Sequence, residues 1–317
     1  MFNFKKVLST VIAGACMFAF TACGTKKTDV VKYVGLKVYD PAYIAMDKGM
    51  FADENIEVEI VDTVAGGATA VEMVSSGDVQ GALLSTMALI NAKTAGLPVI
   101  GVADIQSSFN QAPLEQFFVR SDSGIKDIKD LKGKNIAINL VKSSFHYTWI
   151  MALHDAGMTE EDVNFVQLPF SEQLEALKRG DVDAIGLMSP YIKSAEETDG
   201  VEELYNACDV FGERQFREIL LNETWAEKNT YKAERFVSAL VKAEKWAMNN
   251  QDEAKQIISK YTGIDANMIN DYVFQDNAMC VESDCEFWLE YMKENEGADK
   301  SLQVKDIVTN KYNKAVK

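Results

Sequence analysis

The side chains with chemistry to offer cluster in short turns that follow predicted strands and precede predicted helices. Hydroxyl, acidic and aromatic residues occur together there, and such residues offer hydrogen bonds, ring stacking and helix capping. The candidate contacts to a bound small molecule are Tyr39, Asp40, Tyr43, Gly67, Ser85, Thr86, Ser143, Ser144, His146, Tyr147, Met188 and Tyr191.

Each of these residues also has a plainer interpretation. The serines that would serve as helix N-caps alone are Ser85, Ser144, Ser171 and Ser189. Asp40 would equally cap a helix that begins at Pro41, and His146 would equally be a structural hydrogen-bonding residue. The tyrosines would equally be ordinary core aromatics. The sequence leaves these alternatives open.

The cations near these turns limit the kind of molecule that would fit. None of the turns contains an arginine, and only Lys37 and Lys142 lie close enough in sequence to reach in. A small monoanion or a polar aromatic ring therefore suits these turns better than a strongly charged dianion.

The sequence lacks the common catalytic and metal-binding motifs. It contains no G-x-S-x-G, no H-E-x-x-H, no Walker lysine loop and no G-x-G-x-x-G. It also has no C-x-x-C pair and no H-x-x-H spacing, so a structural metal is not expected. We expect neither a cofactor nor an enzymatic activity.

The elements that must position the turns appear twice. Ala70–Leu89 and Glu172–Ile192 align when Gly77-Asp78 is placed on Gly180-Asp181, an offset of 103 residues. Each copy has an apolar-periodic run, a Gly-Asp stop, a short strand-like run and a hydroxyl residue before a new helix. This duplication predicts two similar α/β lobes with a cleft between them, where small molecules commonly bind.

Strand-like and helix-like segments alternate with short connections, which predicts parallel βαβ units. The predicted strands are Tyr33–Val38, Ile56–Val61, Val79–Leu84, Glu115–Arg120, Ile136–Asn139, Asn164–Leu168, Val182–Leu187 and Arg217–Leu221. The predicted helices before residue 200 are Pro41–Lys48, Lys126–Lys134, Phe145–Ala156, Ser171–Arg179 and Pro190–Glu197. Those after it are Tyr231–Asn249, Gln251–Tyr261, Ala266–Asp271, Cys285–Glu294 and Val304–Asn313, a helical cover for the first lobe.

The first 30 residues have the pattern of an export signal. Lys5-Lys6 precede the apolar run Val7–Phe20, and a small-residue site ends at Cys23. Cys23 resembles the acceptor cysteine of a bacterial lipoprotein, with Cys16 as a rival. We expect residues 1–22 to be a signal peptide and 23–30 a lipid-anchored linker.

Length and charge set further bounds. A chain of 317 residues is long enough for about two domains, each with its own core. Without residues 1–22 the chain has 30 basic and 48 acidic residues, a net charge of −18. Such an acidic chain does not provide the surface that neutralises nucleic-acid phosphates, so nucleic-acid binding is not expected. Three cysteines remain beyond Cys23, and spacing alone leaves a Cys280–Cys285 pair open.

Six segments in one order carry a resemblance. They are PAYIAMDKGMFADENIEVEIVD, the Gly66-Gly67 turn, SSGDVQGALLS, IKDIKDLKGKNIAI, SSFHYTWIMALHDAGM and LKRGDVDAI. Together they resemble the periplasmic-type solute-binding proteins of nitrate, taurine, alkanesulfonate and thiamine-pyrimidine uptake, over about residues 31 to 250. The turn Lys37–Pro41 and the crossover Gln106–Gln111 depart from the pattern, which affects the identity of the ligand rather than the fold.

The resemblance implies a two-lobe α/β fold of the type II periplasmic-binding-protein class, each lobe a mostly parallel sheet flanked by helices. Lobe one is expected to be 31–117 and 219–317, and lobe two 118–218, with hinges near Gln116–Arg120 and Arg217–Asn222. It also implies a monomeric, extracytoplasmic receptor, anchored to the membrane by lipid, that passes a small-molecule solute to the permease and ATPase subunits of an ABC importer. Two alternatives share the fold: a pyrimidine-forming enzyme of thiamine synthesis and a ligand-sensing partner of a membrane receptor.

Overall fold

The structure is a computed structural model that describes residues 29–35, 37–63 and 67–316. The predicted signal peptide, the lipid-acceptor Cys23 and Gly66 of the glycine turn lie outside these residues.

The described chain falls into three successive parts. The first part consists of β1 (Asp29–Gly35), α1 (Pro41–Asp47), α2 (Met50–Asp53), β2 (Ile56–Thr63), α3 (Gly67–Ser76), β3 (Gly81–Ser85), α4 (Thr86–Thr94) and β4 (Val99–Ser108). The second part consists of β5 (Gln116–Arg120), β6 (Asn135–Ile138), α5 (Ser144–Asp155), β7 (Asn164–Gln167), α6 (Phe170–Arg179), β8 (Ala184–Leu187), α7 (Tyr191–Glu196), β9 (Val201–Asn206) and α8 (Ala207–Phe211). The third part consists of β10 (Arg214–Asn222), α9 (Glu223–Lys228), α10 (Thr230–Met248), α11 (Gln251–Thr262), α12 (Glu282–Asn295) and α13 (Val304–Ile307).

Two five-stranded sheets have the same topology. Their strand orders are β2-β1-β3-β10-β4 and β7-β6-β8-β5-β9. The first three strands of each sheet run parallel, and the fourth runs antiparallel to both of its neighbours. We call the part built on the first sheet the first lobe and the part built on the second sheet the second lobe. The duplication predicted from the sequence is therefore present as duplicated architecture.

The repeated Gly-Asp stops have a backbone cause. Gly77 and Gly180 both follow a helix with positive φ, +86° and +79°. Each glycine N–H donates to a carbonyl three residues earlier, Val74 and Leu177 respectively, at 3.1 Å. Only glycine adopts this left-handed conformation without a steric penalty, so the same residue ends the equivalent helix in both lobes.

Two connections join the lobes, and they lie slightly before the predicted hinges. The chain leaves the first sheet after β4 and returns to it at β10, so the crossings are 109–115 and 207–213. All of β5 belongs to the second sheet and all of β10 to the first. The expected boundaries after residues 117 and 218 thus fall inside strands.

The C-terminal helices cover the first lobe, as predicted. Trp288 of α12 is fully buried, and its indole Nε1 donates to the Gln215 carbonyl of β10 at 2.7 Å. In α10, Phe236 and Leu240 are fully buried in the same core as the first sheet. The second lobe has separate core clusters, whereas Tyr147 of its α5 packs into the core of the first lobe.

Several predicted element bounds were wrong. The strand predicted to reach Val38 ends at Gly35, and the helix predicted over Lys126–Lys134 is one 3₁₀ turn, Ile128–Leu131. The helix predicted over Val304–Asn313 ends at Ile307, because Val308 pairs with Gly101 of β4 and the next N–H donates to the Gly101 carbonyl at 2.8 Å. The predicted Ala266–Asp271 helix is likewise a single turn, Ala266–Met268. Strands β4 and β9 were not predicted.

Candidate functional site

The predicted site residues lie where parallel strands end and helices begin, in both lobes. In the first lobe these places are the starts of α1, α3 and α4, and in the second lobe the starts of α5 and α7. Helix N-termini present unpaired N–H groups and partial positive charge, and in open α/β sheets ligands bind at this edge.

Asp40 caps α1, as the plainer interpretation held. Its Oδ1 accepts from the Ala42 N–H at 2.9 Å, and its Oδ2 accepts from the Tyr33 hydroxyl at 2.7 Å. The side chain is fully buried, and this burial raises the pKa of Asp40 to about 6. Its oxygens thus already have partners within the first lobe.

The tyrosines on either side of this cap are buried in aromatic stacks. The Tyr39 ring stacks on Tyr272 with centroids 4.0 Å apart, and Tyr43 stacks on Tyr261 at 5.2 Å. Among the described residues, the buried Tyr39 hydroxyl has no hydrogen-bond partner. Tyr39 is therefore the one with hydrogen-bonding capacity left for another molecule.

The start of α4 confirms the predicted cap and adds a buried contact. Ser85 has extended backbone, and its Oγ accepts from the Ala88 N–H at 3.3 Å. Thr86 is fully buried, and its Oγ1 donates to Glu218 at 2.8 Å. Ser85 is also the cross-strand partner of Arg217 in β10. The fold thus brings an arginine to this turn from a neighbouring strand, although none of the turns contains one in sequence.

The start of α5 corrects one predicted cap. Ser143, not Ser144, is the N-cap, since its Oγ accepts from the His146 N–H at 3.4 Å. Ser144 lies one residue into the helix and donates from Oγ to the Glu115 carboxylate at 2.5 Å. Thr148, one helical turn on, donates to the other Glu115 oxygen at 2.9 Å.

His146 makes contacts within the second lobe. Its Nδ1 accepts from the Lys142 N–H at 3.2 Å, and its Nε2 lies 3.8 Å from a Glu160 oxygen. Burial lowers the pKa of the imidazole, which favours the neutral form that this acceptor role requires. The histidine holds the backbone turn before α5, where Lys142 has φ of +62°.

The starts of α6 and α7 also correct the predicted caps. Neither Ser171 nor Ser189 caps a helix, because α6 and α7 begin after Pro169 and Pro190, which offer no side-chain cap. Ser189 instead accepts from the Asn270 N–H at 3.1 Å, a contact between the lobes.

The remaining predicted residues differ in exposure. Met188 is buried in the second-lobe core, and Tyr191 is half-buried with its ring 5.9 Å from Phe170. Gly67 begins α3 and is half-buried, and a Cβ there would lie 3.0 Å from a Leu84 methyl carbon.

Sequence reasoning missed the charged residues at the centre of this region. Glu115 is fully buried, and its Oε1 lies 3.7 Å from Nη2 of Arg217. Burial raises the pKa of Glu115 to about 7, against the opposing effects of Arg217 and of the two hydroxyls that donate to it. Burial likewise raises the pKa of Glu218 to about 7. The sequence feature that could have pointed to Glu115 and Arg217 is the presence of a charged residue inside or beside an apolar strand pattern.

The described residues contain no metal-binding cluster, no disulfide and no membrane-spanning helix. No group of three or more histidine, cysteine, aspartate or glutamate side chains there is arranged to hold a metal ion. Cys208, Cys280 and Cys285 are buried free thiols, so the open Cys280–Cys285 pair is not formed. Within the same ranges, no helix has the length and apolarity needed to span a bilayer.

Comparisons with known proteins place the chain in a family. The family model described as "NMT1/THI5 like" matches residues 38–254, more than half of the chain. This chain belongs to the NMT1/THI5-like family.

Similar proteins agree with this NMT1/THI5-like assignment. A putative aliphatic sulfonates-binding protein of Bacillus subtilis (strain 168) is 24% identical over 95% of this chain and 94% of its own length. A putative thiamine biosynthesis protein of Haemophilus influenzae is 26% identical over 74% of this chain and 73% of its own length. The periplasmic aliphatic sulphonate binding protein SsuA from Escherichia coli has a TM-score of 0.74 and 19% identity, covering 89% of this chain and 92% of its own. The chain has the periplasmic-binding-protein fold, as predicted.

Proposed function

We propose that this chain is an extracytoplasmic solute-binding protein of an ABC importer, which captures a small polar or anionic molecule between its lobes. The observation that carries the proposal is the pair of topologically equivalent sheets. In each lobe the predicted site residues lie where the parallel strands end and the following helices begin, which we call the helix-bearing edge of the sheet. The full-length similarity to a sulfonates-binding protein supports the same function.

The proposed mechanism is hinge closure around the solute. The crossings 109–115 and 207–213 are the covalent connections about which the lobes would move. A solute that contacts both lobes binds the closed form better than the open form and shifts the population toward it.

The chemistry of the edge supports a small solute with one charged or polar group. The starts of α4 and α5 offer helix N-terminal N–H groups, one from each lobe, which suit a sulfonate, a nitrate-like anion or an electron-rich ring substituent. Tyr191 of the second lobe is half-buried and offers aromatic surface for a pyrimidine-type ring. We propose the twelve residues predicted from the sequence as the pool from which the contacts are drawn.

A thermal-unfolding panel tests the proposal. Purified protein is heated with sulfonates, nitrate, pyrimidines, flavins and amino acids, and hits are followed by calorimetric titration. A solute at a hundredfold excess over its Kd should stabilise the protein by about 2.7 kcal/mol. A panel without any stabilising compound would count against a solute-binding role.

An enzyme on the same fold is the second candidate, because one relative is named as a thiamine biosynthesis protein. The fate of the bound solute distinguishes a binding protein from an enzyme. Mass spectrometry after prolonged incubation should recover the solute unchanged, whereas turnover would favour the enzyme. The partner protein distinguishes a sensing role from a transport role, since the solute-loaded protein would then capture a receptor rather than a permease.

We propose that the mature protein is a monomer anchored by lipid at Cys23 after removal of residues 1–22. The sequence pattern alone supports this part of the proposal. In cells fed a clickable fatty acid, Cys23→Ser should lose the label and enter the soluble fraction, whereas Cys16→Ser should keep both label and anchor. Label retained by Cys23→Ser would contradict this assignment.

A further inference from the structure

A chain of buried polar contacts runs from the second lobe into the first. It begins at α5, where Ser144 and Thr148 each donate to one oxygen of Glu115 at 2.5 and 2.9 Å. Glu115 lies on the first crossing, and its Oε1 is 3.7 Å from Nη2 of Arg217 in β10. The two charged side chains are 0% and 10% exposed, so water does little to screen this pair.

The chain continues to the first candidate turn. Arg217 donates from Nη1 to Gln106 Oε1 at 2.7 Å, and Gln106 donates from Nε2 to the Tyr39 carbonyl at 2.6 Å. Gln106 is fully buried. Tyr39 is followed by Asp40, the cap of α1, so the contacts that begin on α5 end at a candidate solute-binding turn of the opposite lobe.

The backbone of Glu115 is fixed independently of its side chain. Its carbonyl accepts from the Ala207 N–H of the second crossing at 3.0 Å. The end of β4 also contacts the second crossing, where Ser108 Oγ lies 3.1 Å from Cys208 Sγ. The carboxyl group therefore extends from a fixed point between the lobes and contacts both α5 and Arg217.

Resting on the proposed function, we propose that Glu115 is a positioning residue of the binding site. Its carboxyl group ties α5 of the second lobe to Arg217 of the first and, through Gln106, holds the Tyr39–Asp40 turn in the solute-binding arrangement. A buried charge that loses its partner is costly, so separation of Arg217 from Glu115 is opposed unless water enters to hydrate both groups.

The charged and titratable groups around Glu115 determine whether the joined arrangement of the lobes becomes more or less populated as the pH rises. Arg217 faces it from β10 and Tyr205 from β9, while α5 presents the hydroxyls of Ser144 and Thr148. Burial raises the pKa of Glu115 to about 7, whereas a hydrated carboxyl titrates at its ordinary lower value. When Glu115 and Arg217 are in contact (the joined form), the carboxyl of Glu115 thus binds a proton more tightly than when they are apart and hydrated (the separated form). The ratio of joined to separated forms should fall by up to about tenfold from pH 6 to pH 8.

Distances between labels on the two lobes test this without any solute. Glu72 on α3 and Glu172 on α6 are exposed, and Cys208, Cys280 and Cys285 are buried. In a chain without residues 1–22 that carries Cys23→Ser, Glu72→Cys and Glu172→Cys therefore accept spin labels selectively. In the otherwise unchanged protein, the long-distance population should grow between pH 6 and pH 8. Glu115→Gln, which keeps the shape and removes the charge, should make the distribution independent of pH. A distribution that responds to pH equally in both proteins would overturn the proposal.

Two further variants complete the experiment. Glu202→Gln removes an exposed second-lobe carboxylate that pairs with Lys126 at 2.8 Å, and it should keep the full pH response. Arg217→Lys keeps the charge, but a single nitrogen does not reproduce the fork that contacts both Gln106 and Glu115, so it should broaden the distances at every pH. An unchanged distribution in Arg217→Lys would also overturn the proposal. Because no solute is added, an empty ligand panel would defeat the proposed function without deciding this result.

Discussion

At the scale of single residues, Ser85 shows why a site residue and a structural residue are hard to separate. Its Oγ caps α4, yet the same residue lies at the helix-bearing edge and beside Arg217. A cap uses only one of the two lone pairs of the hydroxyl, so a second contact remains available to a solute. Affinity and stability must therefore be measured separately.

Ser85→Ala should lower the free energy of unfolding by about 1 kcal/mol, because the Ala88 N–H loses its acceptor. Ser85→Asp should restore most of this stability, since aspartate is an equally good cap. Urea unfolding measures both variants. If Ser85 also contacts the solute, Ser85→Asp should stay weak in calorimetric titration despite its recovered stability. Full recovery of affinity would remove Ser85 from the site.

At the scale of elements, the attachment of α12 explains how a helix far along the chain stabilises the first sheet. Trp288 is fully buried, with its ring edge-on to Phe211 and Phe216. Its indole N–H is bonded to the backbone of β10, the strand that returns from the second lobe. The C-terminal cover and the second crossing are therefore held by one side chain.

Trp288→Phe should destabilise the protein by about 2 kcal/mol, because it leaves the Gln215 carbonyl without its donor and opens space in the core. Trp246→Phe on α10 is the matched control. That ring is only partly buried and lies 4.5 Å from the Lys48 Nζ, so its loss should cost less than about 1 kcal/mol. Equal midpoints for the two variants in urea unfolding would show that the indole hydrogen bond contributes little.

At the scale of the whole molecule, buried carboxyl groups are concentrated in the first lobe and at the crossing. Burial raises the pKa of Asp40 to about 6 and that of Glu218 to about 7, and it raises the pKa values of Asp104 and Glu244 well above their usual range. Both oxygens of Glu244 lack a hydrogen-bond partner among the described residues, and the charges of Asp104 and Asp40 act on it. The folded state therefore holds protons that the unfolded chain releases.

Because the folded state binds more protons than the unfolded chain, protein stability should decrease as the pH rises. A carboxyl group whose pKa is raised by folding must lose its proton at high pH while it is still buried, so the free energy of unfolding should fall between pH 6 and pH 8. The loss should be at least about 1 kcal/mol. Glu244→Gln should raise stability at pH 8 and flatten the profile, whereas Glu290→Gln, on an exposed pair with Lys293, should leave it unchanged. A free energy of unfolding that increases from pH 6 to pH 8 would contradict this prediction.

The sequence by itself determined what depends on local chemistry. The Gly77 and Gly180 stops need a left-handed backbone that glycine supplies, so the duplication was readable without any tertiary information. The alternation of strands and helices, the Ser85 cap and the helical cover on the first lobe followed from periodicity and turn residues.

Only the tertiary structure decided where distant polar groups meet. The sequence analysis placed Gln106 in a crossover, whereas it belongs to β4, where Asp104 and Gln106 are buried with partners that the fold supplies. Gln106 and Arg217 are 111 residues apart, and no local pattern reports that they share a hydrogen bond. A buried charge is tolerable only beside a partner, and the partner's position depends on how two sheets and two crossings come together.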